Sequence, residues 1–267
     1  MKRREFFGTS MMVAGFPAAF AQQGAAPKGV DAPTRTAKVT KLFKAPDIHP
    51  NALEAEPDGL WIGDQVSERL FKVDWKTGKV LREIQSECHN TSGIAVGEGS
   101  IWVAANGSVN GRRPPRPHDK NSGEVLQIDL GTGKSVKWFQ LQWGNGVHGI
   151  TYVPRTKTLW VTALSVNALA EVDPKDFRIL RLIPVKHSRA HGLDYENGAV
   201  WCLFAADRVI HKLDARNGKV LEIIKFSPGD PDPHGLCLHD GHLYSCDAGL
   251  TATSAGGSPG YIFRVDV

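Results

Sequence analysis

The sequence predicts an all-β fold, a five-bladed β-propeller. Three observations predict it. His-Gly-[Ile/Leu] recurs as His148-Gly149-Ile150, His191-Gly192-Leu193 and His234-Gly235-Leu236, with 43 residues between successive copies. An aromatic recurs about ten residues later in every unit: Trp61, Trp102, Trp160, Trp201 and Tyr244. A repeat of about this length that divides into four short strands is the mark of a propeller blade. The chain stops one strand short in its last unit and carries one orphan strand before its first.

The elements follow in order. Two earlier units carry Ala52-Leu53 and Gly93-Ile94 at the place of Gly-[Ile/Leu], with His49 and His89 a few residues upstream. Each second strand is preceded by a turn, clearest at Asn197-Gly198 and Asp240-Gly241, which between apolar runs signal hairpins. Each third strand closes on an apolar-Asp pair: Val73-Asp74, Ile128-Asp129, Val172-Asp173, Leu213-Asp214 and Val265-Asp266. Such aspartates suit turns, where a carboxylate takes backbone N–H groups. A fourth strand follows in four units, as at residues 80–84 and 220–224. The fifth unit ends at Val267, and the orphan strand at residues 39–43 can supply its missing outer strand, closing the ring and removing two sheet edges. Residues 37–267 then form a single domain, with the aromatics packing between blades.

The N-terminus reads as a leader. Lys2-Arg3-Arg4-Glu5-Phe6-Phe7, a mildly apolar stretch and Ala19-Phe20-Ala21 make residues 1–21 a twin-arginine-type signal peptide. The stretch is too short to anchor the chain in a bilayer, so no membrane anchor is expected after cleavage. Residues 22–36, rich in Ala, Pro, Gly and Gln, read as a disordered linker. Periplasmic localisation follows. The net charge of +4 owes half to the leader, which leaves no basis for nucleic-acid binding. A monomer acting on a small molecule is the expectation. Cys202, Cys237 and Cys246 read as buried apolar fillers, because the turn sets Cys237 and Cys246 diagonal and poorly placed for a bridge.

Loops that enter first strands and leave second strands open on one face of a propeller. His49, His89, His148, His191 and His234 lie at or before first strands; Asp64, Asn106 and Asp247 lie at second-strand ends. Converging neutral imidazoles are ligands for a divalent metal ion such as zinc, iron, manganese, nickel, copper or magnesium, which would act as Lewis acid or hold an activated water. His89, His148, His191 and His234 are the candidate metal ligands. The alternative for each His is a channel-mouth residue bonded to water. Glu87 next to Cys88 and His89 is a candidate general base, and Cys88 a possible ligand or nucleophile. Asp64, Asn106 and Asp247, with Arg112 and Arg113 of the long loop 107–123, are candidate substrate contacts. That loop and residues 248–260 should wall the mouth.

His-Gly-Ile-Thr, Gly-Ile-Ala-Val and Leu-Trp-Val, followed by apolar-Asp-x-x-Thr-Gly-Lys-Val, resemble the streptogramin (virginiamycin B) lyase-like propellers, a wider group that includes gluconolactonase-like and purely binding members. The resemblance implies a His from one blade working with Glu-x-His of the next near a divalent metal. His49 with Glu87-Cys88-His89 matches that pattern, which makes His49, Glu87 and His89 the implied catalytic residues. The lyases have seven blades and this chain five. The implied function is an exported metal-dependent lyase that abstracts a proton and eliminates across a C–O bond. A metal-dependent hydrolase or lactonase and a non-catalytic binding propeller are the alternatives.

Overall fold

A computed structural model describes residues 32–107, 114–117, 119–120, 122–144, 146–248 and 260–266. The leader, residues 22–31, Arg112 and Arg113 lie outside the described residues. Strands β1 (Thr34–Thr36) and β2 (Lys38–Lys44) come first. Blade 1 holds β3 (Pro50–Glu56), β4 (Gly59–Asp64), β5 (Arg69–Val73) and β6 (Val80–Gln85). Blade 2 holds β7 (Thr91–Gly97), β8 (Ser100–Ala105), β9 (Glu124–Asp129) and β10 (Ser135–Gln140). Blade 3 holds β11 (Ile150–Val153), β12 (Thr158–Ala163), β13 (Ala168–Val172) and β14 (Ile179–Pro184). Blade 4 holds β15 (Ala190–Glu196), β16 (Ala199–Phe204), β17 (Val209–Asp214) and β18 (Val220–Lys225). Blade 5 holds β19 (Pro233–His239), β20 (His242–Asp247) and β21 (Tyr261–Asp266).

The five sheets make a five-bladed propeller. The first strand of each blade packs on the first strand of the next, and β19 packs back on β3. The closure is the one the sequence predicts: β2 runs antiparallel to β21, with Val39 opposite Val265. One segment differs from its sequence reading. Residues 34–36, read as the end of a linker, form β1 and lie parallel to β18, with Thr34 opposite Ile223 and Arg35 paired to Glu222 at 3.0 Å. The chain passes the open edge of blade 4 on its way to blade 5, and that edge offers backbone groups that a passing strand can satisfy.

Packing follows the repeat. Trp61 and Trp160 are fully buried between blades, and Trp102 stacks on Tyr152 of the next blade at 5.4 Å. The turn aspartates do local work: Asp74, Asp129, Asp173 and Asp214 each accept backbone N–H groups two or three residues on. All four cysteines are free and buried. Among the described residues no helix is long and apolar enough to cross a membrane.

Candidate functional site

Four of the five first strands break their pairing register at the same place. In blades 1, 2, 4 and 5 the irregularity falls at Asn51, Ser92, His191-Gly192 and His234-Gly235. In blade 3, β11 starts just after His148-Gly149, whose N–H groups both bond to the Thr162 hydroxyl. A bulge re-aims the side chain it carries, and here it aims each one at the channel mouth. The residue before the small position that recurs in each blade therefore makes a ring: Asn51, Ser92, His148, His191 and His234.

The small residue that follows has a steric cause. A Cβ on Gly149 would lie 1.9 Å from the His191 carbonyl oxygen, and one on Gly93 2.2 Å from that of His148, both far closer than van der Waals contact. The first strands approach so closely that blades 2 to 5 need glycine here, and blade 1 has room for the methyl of Ala52. With Leu53, Ile94, Ile150, Leu193 and Leu236, these residues line a cavity of about 10 Å³ on the axis. That is room for one water at most. The channel is plugged, so any chemistry belongs to its mouths.

The three imidazoles touch in series. His148 stacks on His191 with centroids 4.1 Å apart and planes 17° from parallel, and His191 meets His234 edge-on at 4.5 Å. All three are buried. Burial pulls the pKa of His234 down, against the opposing pull of Asp232 and Asp247. Its Nδ1 lies 3.3 Å from the Asp232 carbonyl oxygen. A carbonyl only accepts, so Nδ1 carries the proton and Nε2 keeps the lone pair.

The other sequence candidates are dispersed. His89 is buried but lies out over its own blade: it stacks on Trp138 of β10 at 5.4 Å, with Nε2 3.4 Å from the Ser122 carbonyl. Burial lowers its pKa. Glu87 is exposed, while Cys88 and His89 beside it are buried, which separates the carboxylate from its neighbours. His49 is held at the top of blade 1, its N–H bonded to Asp64. Asp64 is nearly inaccessible and uses both oxygens on local donors, the N–H groups of His49, Val66 and Ser67 and the Ser67 hydroxyl, which is a structural role. Asn106 donates its N–H to the Asn90 carbonyl at the top of blade 2. Asp247 ends β20 and is felt electrostatically by His234.

Sequence reading missed several groups. Asn51 and Ser92 sit in the ring, and their position before Ala52 and Gly93 was the available signal. Two carboxylates with no accessible surface hold the long loop: Glu68 takes Arg116 at 2.5 Å and the Asn90 N–H, and Glu124 takes Lys120 at 2.7 Å and the Gln140 amide. Nothing in the repeat marks either. Two residues beyond the glycine a second ring appears at the opposite mouth: Glu54, Ala95, Thr151, Asp194 and Cys237. Glu54 accepts the Val96 N–H of blade 2, Asp194 accepts the Leu238 N–H of blade 5, and the Thr151 hydroxyl donates to Asp194. Burial, aided by the neighbouring Asp194, raises the Glu54 carboxyl well above its usual range. Burial pushes Asp194 up to about 6.

The fit of a metal can be tested on ring geometry. An imidazole binds through a lone pair in its own plane, and rings lying face to face direct those lone pairs side by side rather than at one point. As arranged, His148 and His191 do not chelate one ion, and His89 faces Trp138. Among the described residues no three His, Cys, Asp or Glu side chains are grouped to hold a metal.

No family model matches the chain, and no curated protein sequence matches it. Solved structures do. Glutaminyl cyclase from Myxococcus xanthus superposes with a TM-score of 0.65 at 12% identity, over 88% of this chain and 98% of that one. A luciferin-regenerating enzyme gives 0.57 at 13% identity, over 87% and 96%. Virginiamycin B lyase from Staphylococcus aureus gives 0.49 at 17% identity, over 84% and 68%. The likeness is one of fold. It is a fold that enzymes use, and it names no reaction.

Proposed function

We propose that this chain is an exported enzyme, a C–O lyase for a small organic substrate, working by proton abstraction at the upper ring. The observation that carries the reading is the unbroken contact of three buried imidazoles across blades 3, 4 and 5. Elimination needs a base for the C–H proton and an acid for the departing oxygen, close together and shielded from water. His234 suits the base: its lone pair is on Nε2, and burial holds the ring neutral. As Nε2 takes the proton, the C–H electrons form the new double bond and the C–O bond breaks. His191, entering the step as an imidazolium, gives its proton to the leaving oxygen and ends neutral, as His234 becomes charged. Asp232, whose carboxylate lies 3.8 Å from His234 Nδ1, stabilises the imidazolium that forms. No step is routed through a metal, because the rings do not chelate one as they stand.

A panel of β-alkoxy and β-acyloxy carbonyl compounds and lactones, incubated in D₂O and followed by NMR, tests this. The expected result is alkene product or deuterium at the carbon next to the carbonyl. H234Q should slow that signal by roughly 10²-fold or more. Simple hydrolysis with no deuterium at carbon, or an H234Q rate equal to that of the natural protein, overturns the lyase reading. Export is proposed from Arg3-Arg4: lysine at both positions should leave unprocessed protein in the cytoplasm, and unchanged export and cleavage would refute the route.

A further inference from the structure

The ring has two unlike sectors. Blades 3 to 5 supply imidazoles, and blades 1 and 2 supply Asn51 and Ser92. The Asn51 amide nitrogen donates to the Thr91 carbonyl and to the Ser92 hydroxyl, both at 3.3 Å. The Thr91 carbonyl can only accept, so the orientation of the amide is fixed: its nitrogen faces Thr91 and its oxygen faces away. Ser92 in turn donates to the Asn90 carbonyl at 3.4 Å. Every donor of this pair is used. The Asn51 Oδ1 is not: it is buried, in a residue 1% exposed, and has no hydrogen-bond partner. The neighbouring Thr91 Oγ1 is also buried and unpartnered. Buried acceptors are ordinarily satisfied, and one left bare at a polar mouth points to a missing donor.

We infer that Asn51 is a specificity-determining residue, and that its bare oxygen selects substrates presenting a neutral hydrogen-bond donor, an amide N–H or a hydroxyl, to blades 1 and 2. This rests on the reading that the upper ring is the active site. The substrate lies across the mouth, its donor on Asn51 and its reacting carbon toward His234. A site built to receive a donor discriminates strongly against an analogue that lacks one, because the acceptor is then left buried and unpaired.

The test uses simple amides on the whole protein, read by NMR from the backbone amide resonances of residues 51 and 92, which every variant retains. Acetamide, which has N–H donors, should shift them with an affinity at least threefold that of N,N-dimethylacetamide, which has none. N51L should erase the preference while the circular dichroism spectrum stays that of the natural protein. N51D, whose carboxylate accepts only, should turn the preference toward acetamidine and keeps the test open if N51L does not fold. Equal binding of the two amides, a preference that survives in N51L, or no shift with any amide because an ordered water serves the oxygen would each overturn the inference. H234Q should keep the amide preference. Loss of deuterium exchange therefore reports on the lyase reading, and loss of amide preference on this one.

Discussion

The two mouths of the channel are built from the same five strands, three residues or about 10 Å apart along each, and they solve opposite problems. The upper ring buries bases and the lower ring buries acids. Burial drives both toward their neutral forms, pulling His234 down and pushing Glu54 and Asp194 up. The lower carboxylates are engaged across blade boundaries, each holding the backbone N–H of the next blade. The upper imidazoles meet through ring faces and edges. One end fastens the ring and the other presents reactive groups. Between them lies the glycine layer, on which both ends depend.

That layer gives the largest expected effect. Gly149→Ala sets a methyl against the His191 carbonyl, backbone against backbone, where no side chain can move aside. The loss should be about 3 kcal/mol or more in denaturant unfolding, and both rings should be disordered together. Gly229→Ala, with open space around it, is the control and should stay within about 0.5 kcal/mol. If G149A costs under about 1 kcal/mol, the blades do not close on the axis as described.

The lower ring comes next. The Asp194 carboxyl is raised in the folded protein, from 3.8 to about 6. The unfolded chain releases that proton more readily, so folding is favoured below about pH 4 and loses stability as pH climbs through 6. Two units correspond to about 3 kcal/mol at full weight, and the partial exposure of Asp194 at the rim roughly halves it. Asp194→Asn should therefore be more stable than the natural protein by about 1–2 kcal/mol at pH 7.5, with the advantage vanishing near pH 4. Melting curves from pH 4 to 8 check this. A variant less stable at every pH would show that the Leu238 and Tyr195 N–H groups need a charged acceptor.

How much of this could be read from sequence depends on what the repeat punctuates. Glycine, tryptophan and turn aspartate recur because sterics and packing admit few substitutes, so blade number, strand order and closure by β2 were legible. Ring membership was legible for His148, His191 and His234, and not for blades 1 and 2. Residue type points to His49 and His89, three and four residues upstream of the small position, and away from Asn51 and Ser92 directly before it. Position in the bulge, not residue type, decides what faces the axis. The lower ring was hidden for the same reason: Glu54, Ala95, Thr151, Asp194 and Cys237 share a position and no chemistry. Glu68 and Glu124 belong to no repeat, since they serve one loop of one blade. Strand β1 lacks any apolar alternation, its pairing being set by the free edge of β18.

The smallest effect has the opposite sign to that of Asp194 and tests whether the two mouths differ as claimed. His234 is lowered below 6.5 by burial, and the nearby Asp232 and Asp247 recover part of that shift. The unfolded chain takes up the proton first as pH falls. Stability contributed by the neutral ring is thus present above about pH 6.5 and lost as pH drops below it. His234→Gln cannot titrate, so the gap between natural protein and variant should move in the variant's favour from pH 7 to pH 5. His211, pulled down to about 4 by burial and by His187, adds to acid destabilisation in both proteins alike and cancels in the difference. The shift should be smaller than that for Asp194 because the carboxylates beside His234 already compensate it. A gap that is flat from pH 7 to pH 5 would mean that Asp232 and Asp247 cancel the burial entirely. The upper ring would then hold a protonatable His234 near neutrality, fit to act as the acid, and the base would have to be sought at His191 or His148.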